Sequence, residues 1–428
     1  MSPVSTPPVG SLYVHVPFCV RKCAYCAFYS EVAEGRTIER YVRALGMELE
    51  RVAGRLRPRT VYFGGGTPSV LPWRQWRVIL GDMERLGLLG AAEWTVECNP
   101  ASVTVELARL WRDYGVNRLS LGVQSLDAAV LERLGRVHTR TAAFRAFDLL
   151  RREGFDNVNV DLMFAIPGQT MASWRATLRE AMALGSEHLS CYEVIYEEDT
   201  PLFEQLRAGA EAVDEDLACA MYEELVETVG QAGWRRYEIA NFARETRAGV
   251  AGGAAARRGG TGTDGLPDGP GRDSEEPPAE FPAFACWHNL NYWRGGDFFG
   301  LGPGATTYVG GVRTTNVRDV RRYCDGWEAS QRPLDTREAL SPLARAGETA
   351  AFGLRVVAGW PFEAFQRVTG FDLRQEWAAD MRQLVARGWG EWTAERFRLT
   401  PAGLRFADAA AELFLRPDTA GAEPARSP

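Results

Sequence analysis

Six short β-branched or aromatic runs, each followed by a helical apolar pattern, constrain this chain more than any other feature. Residues 12–16, 60–63, 94–97, 118–123, 158–164 and 188–195 read as strands. Between them Ile38, Val42, Leu45, Leu49 and Val52 recur at three- and four-residue steps, as do Val103, Leu107, Leu110 and Tyr114. Trp174, Leu178, Ala181 and Met182 repeat the pattern before the sixth run. Such alternation calls for parallel strands joined by right-handed crossovers. Six units make an α/β fold, either a partial (β/α)6 TIM-like barrel or an open sheet. In both, function gathers at the C-terminal strand ends.

Those ends carry the chemistry. The first strand leads into Cys19, Cys23 and Cys26, spaced C-x3-C-x2-C on one loop. Three thiolates so placed can face one iron–sulfur cluster, and a four-iron cubane then keeps an open iron corner. Zinc is the alternative, but it wants a fourth ligand at a recognisable spacing. Cys98, Cys191, Cys219, Cys286 and Cys324 are scattered and read as buried thiols. The second strand runs into Gly64-Gly65-Gly66-Thr67-Pro68, either a tight turn or a backbone that approaches a ligand closely. Glu97 ends the third strand, where a carboxylate can accept ribose hydroxyls. Gln124 ends the fourth and Arg136 follows; taken singly they read as a surface amide and a solvated charge. Asp161, inside an apolar strand, needs a partner or a ligand.

The remaining composition sets limits. A net charge of −7 without a basic block argues against nucleic acid as a main partner. No stretch is long and apolar enough to span a membrane, and the polar, Pro-rich start has no signal-peptide core, so the expected location is the cytoplasm. Residues 1–10 and 416–428 read as flexible ends, and 11–246 as the core domain. Residues 247–280, rich in Gly, Ala, Arg, Asp and Pro, read as a disordered insertion. Residues 281–311 follow, with His288 among Trp287, Tyr292 and Trp293. An imidazole among aromatics suits haem iron, although composition alone favours a packed histidine. Residues 312–415 read as a separate domain. It has helices near 348–357 and 373–384, a hairpin at 389–392 and 396–399, and a last helix opened by Thr400-Pro401. That is a winged-helix-like set. Residues 402–415 carry Asp408 and Glu412 against Arg405, so a lid or docking role is expected rather than DNA binding.

The string Y-x-H-x-P-F-C-x3-C-x2-C-x-F, from Tyr13 to Phe28, resembles the cluster loop of radical S-adenosylmethionine enzymes, and among them the oxygen-independent coproporphyrinogen III oxidase group. The resemblance implies a 4Fe–4S cluster on Cys19, Cys23 and Cys26, with S-adenosylmethionine chelated at the open iron and cleaved reductively. It also implies S-adenosylmethionine contacts at Tyr13, Tyr25, Gly65, Gly66, Thr67, Glu97, Gln124, Arg136 and Asp161. H-N-x-x-Y-W at 288–293, followed by G-L-G-P-G-A, is similar to the haem-chaperone (HemW) branch. That implies haem at His288, Asn289, Tyr292 and Trp293. It also implies delivery to acceptor proteins, with peripheral association with membrane haem proteins compatible with the chain. Phe28 stands where the oxidases carry a further cysteine, and the arm before Cys19 is shorter than theirs. The insertion departs from the family pattern. A haem carrier is therefore expected, with no catalytic residue assigned. The alternative is oxidative decarboxylation of coproporphyrinogen III to protoporphyrinogen IX, and a radical enzyme on an unrelated substrate is a third reading.

Overall fold

The computed structural model describes residues 7–32, 34–209, 213–245 and 280–418. The insertion expected at 247–280 lies outside these residues except for Glu280, as do the chain ends 1–6 and 419–428. All six expected strands are present: β1 Val9–Val16, β2 Leu56–Gly65, β3 Glu93–Cys98, β4 Arg118–Gln124, β5 Val158–Phe164 and β6 His188–Glu193. They pair in parallel in that order. Three further strands widen the sheet. β7 Trp234–Arg236 and β8 Asn241–Arg244 add antiparallel strands beyond β6, in the order β6-β8-β7. β9 Phe299–Leu301 pairs in parallel with the outer side of β1. The nine-stranded sheet has β9 and β7 as its edges and is not a closed barrel.

Alternation along each strand explains how the sheet is covered. One face presents Leu12 and Val14, Val61 and Phe63, Trp94 and Val96, Leu119 and Leu121, Val160 and Leu162, all buried in one core. Helices pack on that face through their apolar stripes; α1 Gly35–Ala53 buries Ile38, Val42, Leu45 and Leu49. α2 Trp73–Arg85, α3 Val105–Asp113, α4 Arg140–Arg152 and α5 Met171–Ala183 follow in turn. Thr104, Thr139 and Thr170 start the last three by accepting a bond from the N–H three residues on.

The opposite face is polar. Parallel sheets are usually apolar on both sides. Here Tyr13 and His15, Thr60 and Tyr62, Glu93, Thr95 and Glu97, Arg118 and Ser120, Asn159 and Asp161, His188 and Ser190 share the second face. Their pairing is in register across the strands, Glu97 opposite Ser120, Ser120 opposite Asn159, and Asn159 opposite His188.

After β9 comes a three-stranded antiparallel sheet, Thr306–Val309, Val312–Asn316 and Leu334–Ala339. The helix Val320–Glu328 packs Val320, Tyr323 and Trp327 into the main core. A second core then forms around Leu354, Trp360, Phe365, Trp377, Leu384, Phe397 and Phe414. The expected hairpin is present as Gly390–Trp392 against Arg396–Leu399, with Trp360–Pro361 as a third strand. Two helix expectations are corrected. The segment near 373–384 splits into Leu373–Glu376 and Ala378–Ala386. The last helix does not open at Pro401. Thr400 Oγ1 accepts from Gly403 N at 3.0 Å, but the chain turns through a 3-10 segment, Gly403–Phe406, before Ala407–Glu412 becomes α-helical.

Candidate cluster and cofactor site

β1 delivers the cysteine loop at its C-terminal end. Phe18–Cys19 pairs in parallel with Glu31–Val32, which closes the loop on itself. Three anchors hold it. Ala24 N donates to Leu134 O at 3.1 Å, Leu202 N donates to Ala24 O at 3.0 Å, and His15 Nε2 donates to Tyr29 O at 2.8 Å. All three thiols are half-buried. Thr67 Oγ1 lies 3.4 Å from Cys19 Sγ, and Arg136 Nη1 donates to Cys23 Sγ at 3.5 Å. Burial pushes the Cys26 thiol up, and the neighbouring Cys23 and Cys19 add to the effect while Phe28 N–H and Lys22 oppose it. Among the described residues no three His, Cys, Asp or Glu side chains are gathered tightly enough for a single metal ion. Three half-buried thiols on one loop, beside a guanidinium, suit the iron corners of a cluster.

The glycine run lies directly under this loop. Gly65 has φ +106°, and a Cβ there would meet the His15 ring at 2.5 Å. A Cβ on Gly66 would stand 2.7 Å from Phe18 O. Gly65 N donates to Glu97 Oε2 at 3.3 Å, Gly66 N to Val16 O at 2.8 Å and Thr67 N to Phe18 O at 2.7 Å. These N–H groups are therefore committed to the protein.

Glu97, Gln124, Arg136 and Asp161 converge beside it. Glu97 accepts from Tyr62 OH at 2.7 Å, and burial pushes its carboxyl up to about 7, with Tyr62 opposing and Asp161 adding to the shift. Gln124 has φ +64° at a register shift, so the end of β4 turns out of the regular ladder. A Cβ on Gly122 would lie 3.1 Å from Gln124 Nε2 and 3.3 Å from Arg136 Nη2, so both side chains cross this glycine. Arg136 Nη2 donates to Gly122 O at 2.5 Å, whereas its Nε is buried without a partner. Asp161 accepts from Ser120 Oγ at 3.0 Å and Asn159 Nδ2 at 2.8 Å, and burial raises its pKa. Tyr25 packs beside Val130, Leu134 and Met163 near Arg136. Tyr13 OH lies 3.1 Å from His15 Nδ1.

The H-N-x-x-Y-W segment is placed elsewhere, on α7 Trp287–Trp293. (α6 is Glu215–Gln231.) Glu93, at the start of β3, accepts from Trp287 N and His288 N, each at 2.9 Å. The helix therefore sits at the N-terminal end of the strands. His288 thus lies deeper on the polar face than the glycine run, with its ring centroid 6.5 Å from that of Tyr13. His288 is 1% exposed. Thr60 Oγ1 gives its proton to Ser11 Oγ, so His288 Nδ1 donates to Thr60 at 2.9 Å and Nε2 accepts from Tyr292 OH at 2.7 Å. The ring stacks on Tyr62 at 5.1 Å, and burial pushes its pKa down to about 3, helped by Arg118. Trp293 faces away, toward Phe352 and Arg355. Asn289 is half-buried on the same helix.

Several residues of this polar face were not singled out from sequence: His15, Tyr62, Glu93, Arg118, Ser120, Asn159 and His188. His188 bridges Asn159 Oδ1 at 2.6 Å and Tyr237 OH at 2.8 Å. The signal was present as polar residues at every second position of otherwise apolar strands.

Comparison with known proteins follows this geometry. The model for the radical SAM superfamily matches residues 13–181, and that for the HemN C-terminal domain matches 340–406. Heme chaperone HemW of Mycobacterium tuberculosis strain H37Rv is 31% identical, covering 97% of this chain and 97% of the relative. Heme chaperone HemW of Escherichia coli K12 is 30% identical, covering 96% and 99%. Mouse mitochondrial radical S-adenosyl methionine domain-containing protein 1 is 32% identical, covering 86% and 77%. The solved coproporphyrinogen III oxidase HemN of Escherichia coli superposes with a TM-score of 0.76 at 20% identity, over 97% of this chain and 92% of that one. At that identity the superposition speaks for the fold alone.

Proposed function

This chain belongs to the HemW family within the radical S-adenosylmethionine superfamily, and from that premise we propose that it is a cytoplasmic haem chaperone. In this reading it binds haem, passes it to acceptor proteins, and carries a 4Fe–4S cluster with S-adenosylmethionine at the open iron. The observation that carries the reading is similarity at 30–31% identity, over nearly the whole of both chains, to relatives named for haem chaperoning. Phe28, 68% exposed beside the cysteines, supports it by leaving no further thiol where the oxidases carry one.

Cys19, Cys23 and Cys26 would hold the cluster. When bound, it supplies an open iron corner and an electron. The chain's own residues prepare the place. Arg136 offsets the negative charge of three thiolates. The glycine carbonyls accept an ammonium group, Glu97 accepts ribose hydroxyls, and Gln124, Asp161, Tyr13 and Tyr25 line the remaining wall. For haem, the family's expectation at His288, Asn289, Tyr292 and Trp293 comes with a geometric condition. Iron ligation by His288 requires its ring to leave Thr60 or Tyr292 and α7 to draw away from β2.

The test is an anaerobic haem titration of cluster-reconstituted protein, followed by the Soret band, beside His288→Ala. A saturable shift at a single site is expected. Weakening in the variant would mean that α7 opens to present His288; an unchanged shift would leave haem bound elsewhere and the histidine structural. No specific haem binding, together with protoporphyrinogen IX formed from coproporphyrinogen III on adding reductant and S-adenosylmethionine, would replace the chaperone reading with the decarboxylating oxidase.

A further inference from the structure

The apolar face of the sheet holds a cavity that is separate from the cluster site. It lies between α1, β9 and the helix Val320–Glu328, with a volume of about 290 Å³. Phe299 and Leu301 of β9 and Trp327 form apolar walls, while Arg51, Arg55 and Arg332 bring three guanidinium groups to it.

The charge balance at this cavity is one-sided. Its one carboxylate is Glu48, which is 2% exposed and already occupied. Glu48 accepts from Tyr323 OH at 2.6 Å, Asn316 Nδ2 at 2.8 Å and Gly302 N at 2.8 Å. Arg332 spends one N–H on Thr314 Oγ1 at 3.2 Å. Burial holds the Arg332 guanidinium below its usual range, Glu48 pulling it back and Arg51 pushing it further down. Arg51 has no ion pair among the described residues, and Arg55 only lies over the Phe299 ring, 5.5 Å from its centroid. Trp327 is 6% exposed and contributes to the apolar wall of the cavity.

We propose that this cavity binds a small organic anion, with a carboxylate or phosphate at the arginines and an apolar body against Phe299, Leu301 and Trp327. Guanidinium forks match both anion types in two-point fashion. The volume, at the lower end of ligand pockets, suits a molecule about the size of a single substituted ring. Such a ligand would touch neither the cysteine loop nor the residues of the polar face.

The test uses the full chain and phenyl phosphate as probe, with inorganic phosphate and benzyl alcohol as comparators. Binding is read by tryptophan fluorescence and by calorimetry. Phenyl phosphate should bind saturably, with inorganic phosphate weaker and benzyl alcohol weakest. Arg51→Gln combined with Arg55→Gln, both exposed on the rim, should weaken phenyl phosphate ~10-fold or more by removing charge-assisted bonds. Trp327→Phe should abolish the fluorescence change while calorimetric binding persists. Absence of saturable binding, equal affinity in the double variant, or benzyl alcohol binding as well as phenyl phosphate would each overturn the proposal.

Discussion

Glu97 is the acid whose ionisation this fold most directly controls, because Tyr62 and Gly65 hold it in a buried place near Asp161. Its pKa rises from 4.5 to about 7. The unfolded chain gives up this proton near pH 4.5, whereas the folded chain keeps it to about 7. The associated stability is therefore complete below pH 4.5 and lost as pH climbs through 7. Glu97→Gln cannot ionise, so it should match the parent in urea unfolding at pH 4 and exceed it at pH 8, by as much as ~3 kcal/mol. An offset equal at both pH values would return the carboxyl to its ordinary range. His288 teaches a different lesson at the same scale. Residue type showed what an imidazole among aromatics can do, but not that Thr60 and Tyr292 would take both nitrogens. That depends on a contact across 228 positions of sequence. His288→Ala leaves these two hydroxyls short of a partner and opens a cavity, so a loss of ~2–4 kcal/mol in urea unfolding is expected, whatever haem does.

At the scale of elements, the six parallel strands were legible because each is a short apolar run closed by a turn signal, and helices at regular spacing leave little choice of topology. β9 was not. Phe299-Gly300-Leu301 is three residues in a glycine-rich stretch, and only its register with Leu12–Val14 makes it a strand. The glycine run was read as a place for a ligand; it is equally a place where β2 passes under the cysteine loop. Gly66→Ala would drive a methyl against Phe18 O and N, and should cost ~1–3 kcal/mol. Iron content after reconstitution should fall with it. Full retention of both would mean that the loop can shift aside freely. Glu93→Gln is a companion case. One acceptor oxygen remains for two helix N–H groups, so amide exchange across 287–293 should accelerate while α1 stays protected.

Across the whole molecule, the second core is joined to the rest by apolar contact and by partly buried ion pairs, Arg313 with Glu348 and Arg396 with Glu280. Val356 is buried with Tyr237, Phe284 and Leu290, and Val357 N donates to Tyr237 O at 2.9 Å. Arg405 and Glu223 also bridge the two parts, but both are exposed. Arg405→Ala should therefore change stability by less than ~1 kcal/mol, whereas Val356→Ala should cost ~1–3 kcal/mol and lower the melting temperature of the whole chain. The reverse order would make the docking electrostatic. None of this was visible in the sequence, which showed a helical domain with a hairpin and nothing of where it rests. One pairing also sets a schedule. β1 is made well before the strand that covers its outer edge, which follows roughly 290 residues later, about 15 to 60 s at ordinary rates of synthesis. Throughout that interval β1 offers an open row of backbone donors and acceptors to any passing chain. A slower ribosome lengthens that exposure without altering a single contact of the finished protein.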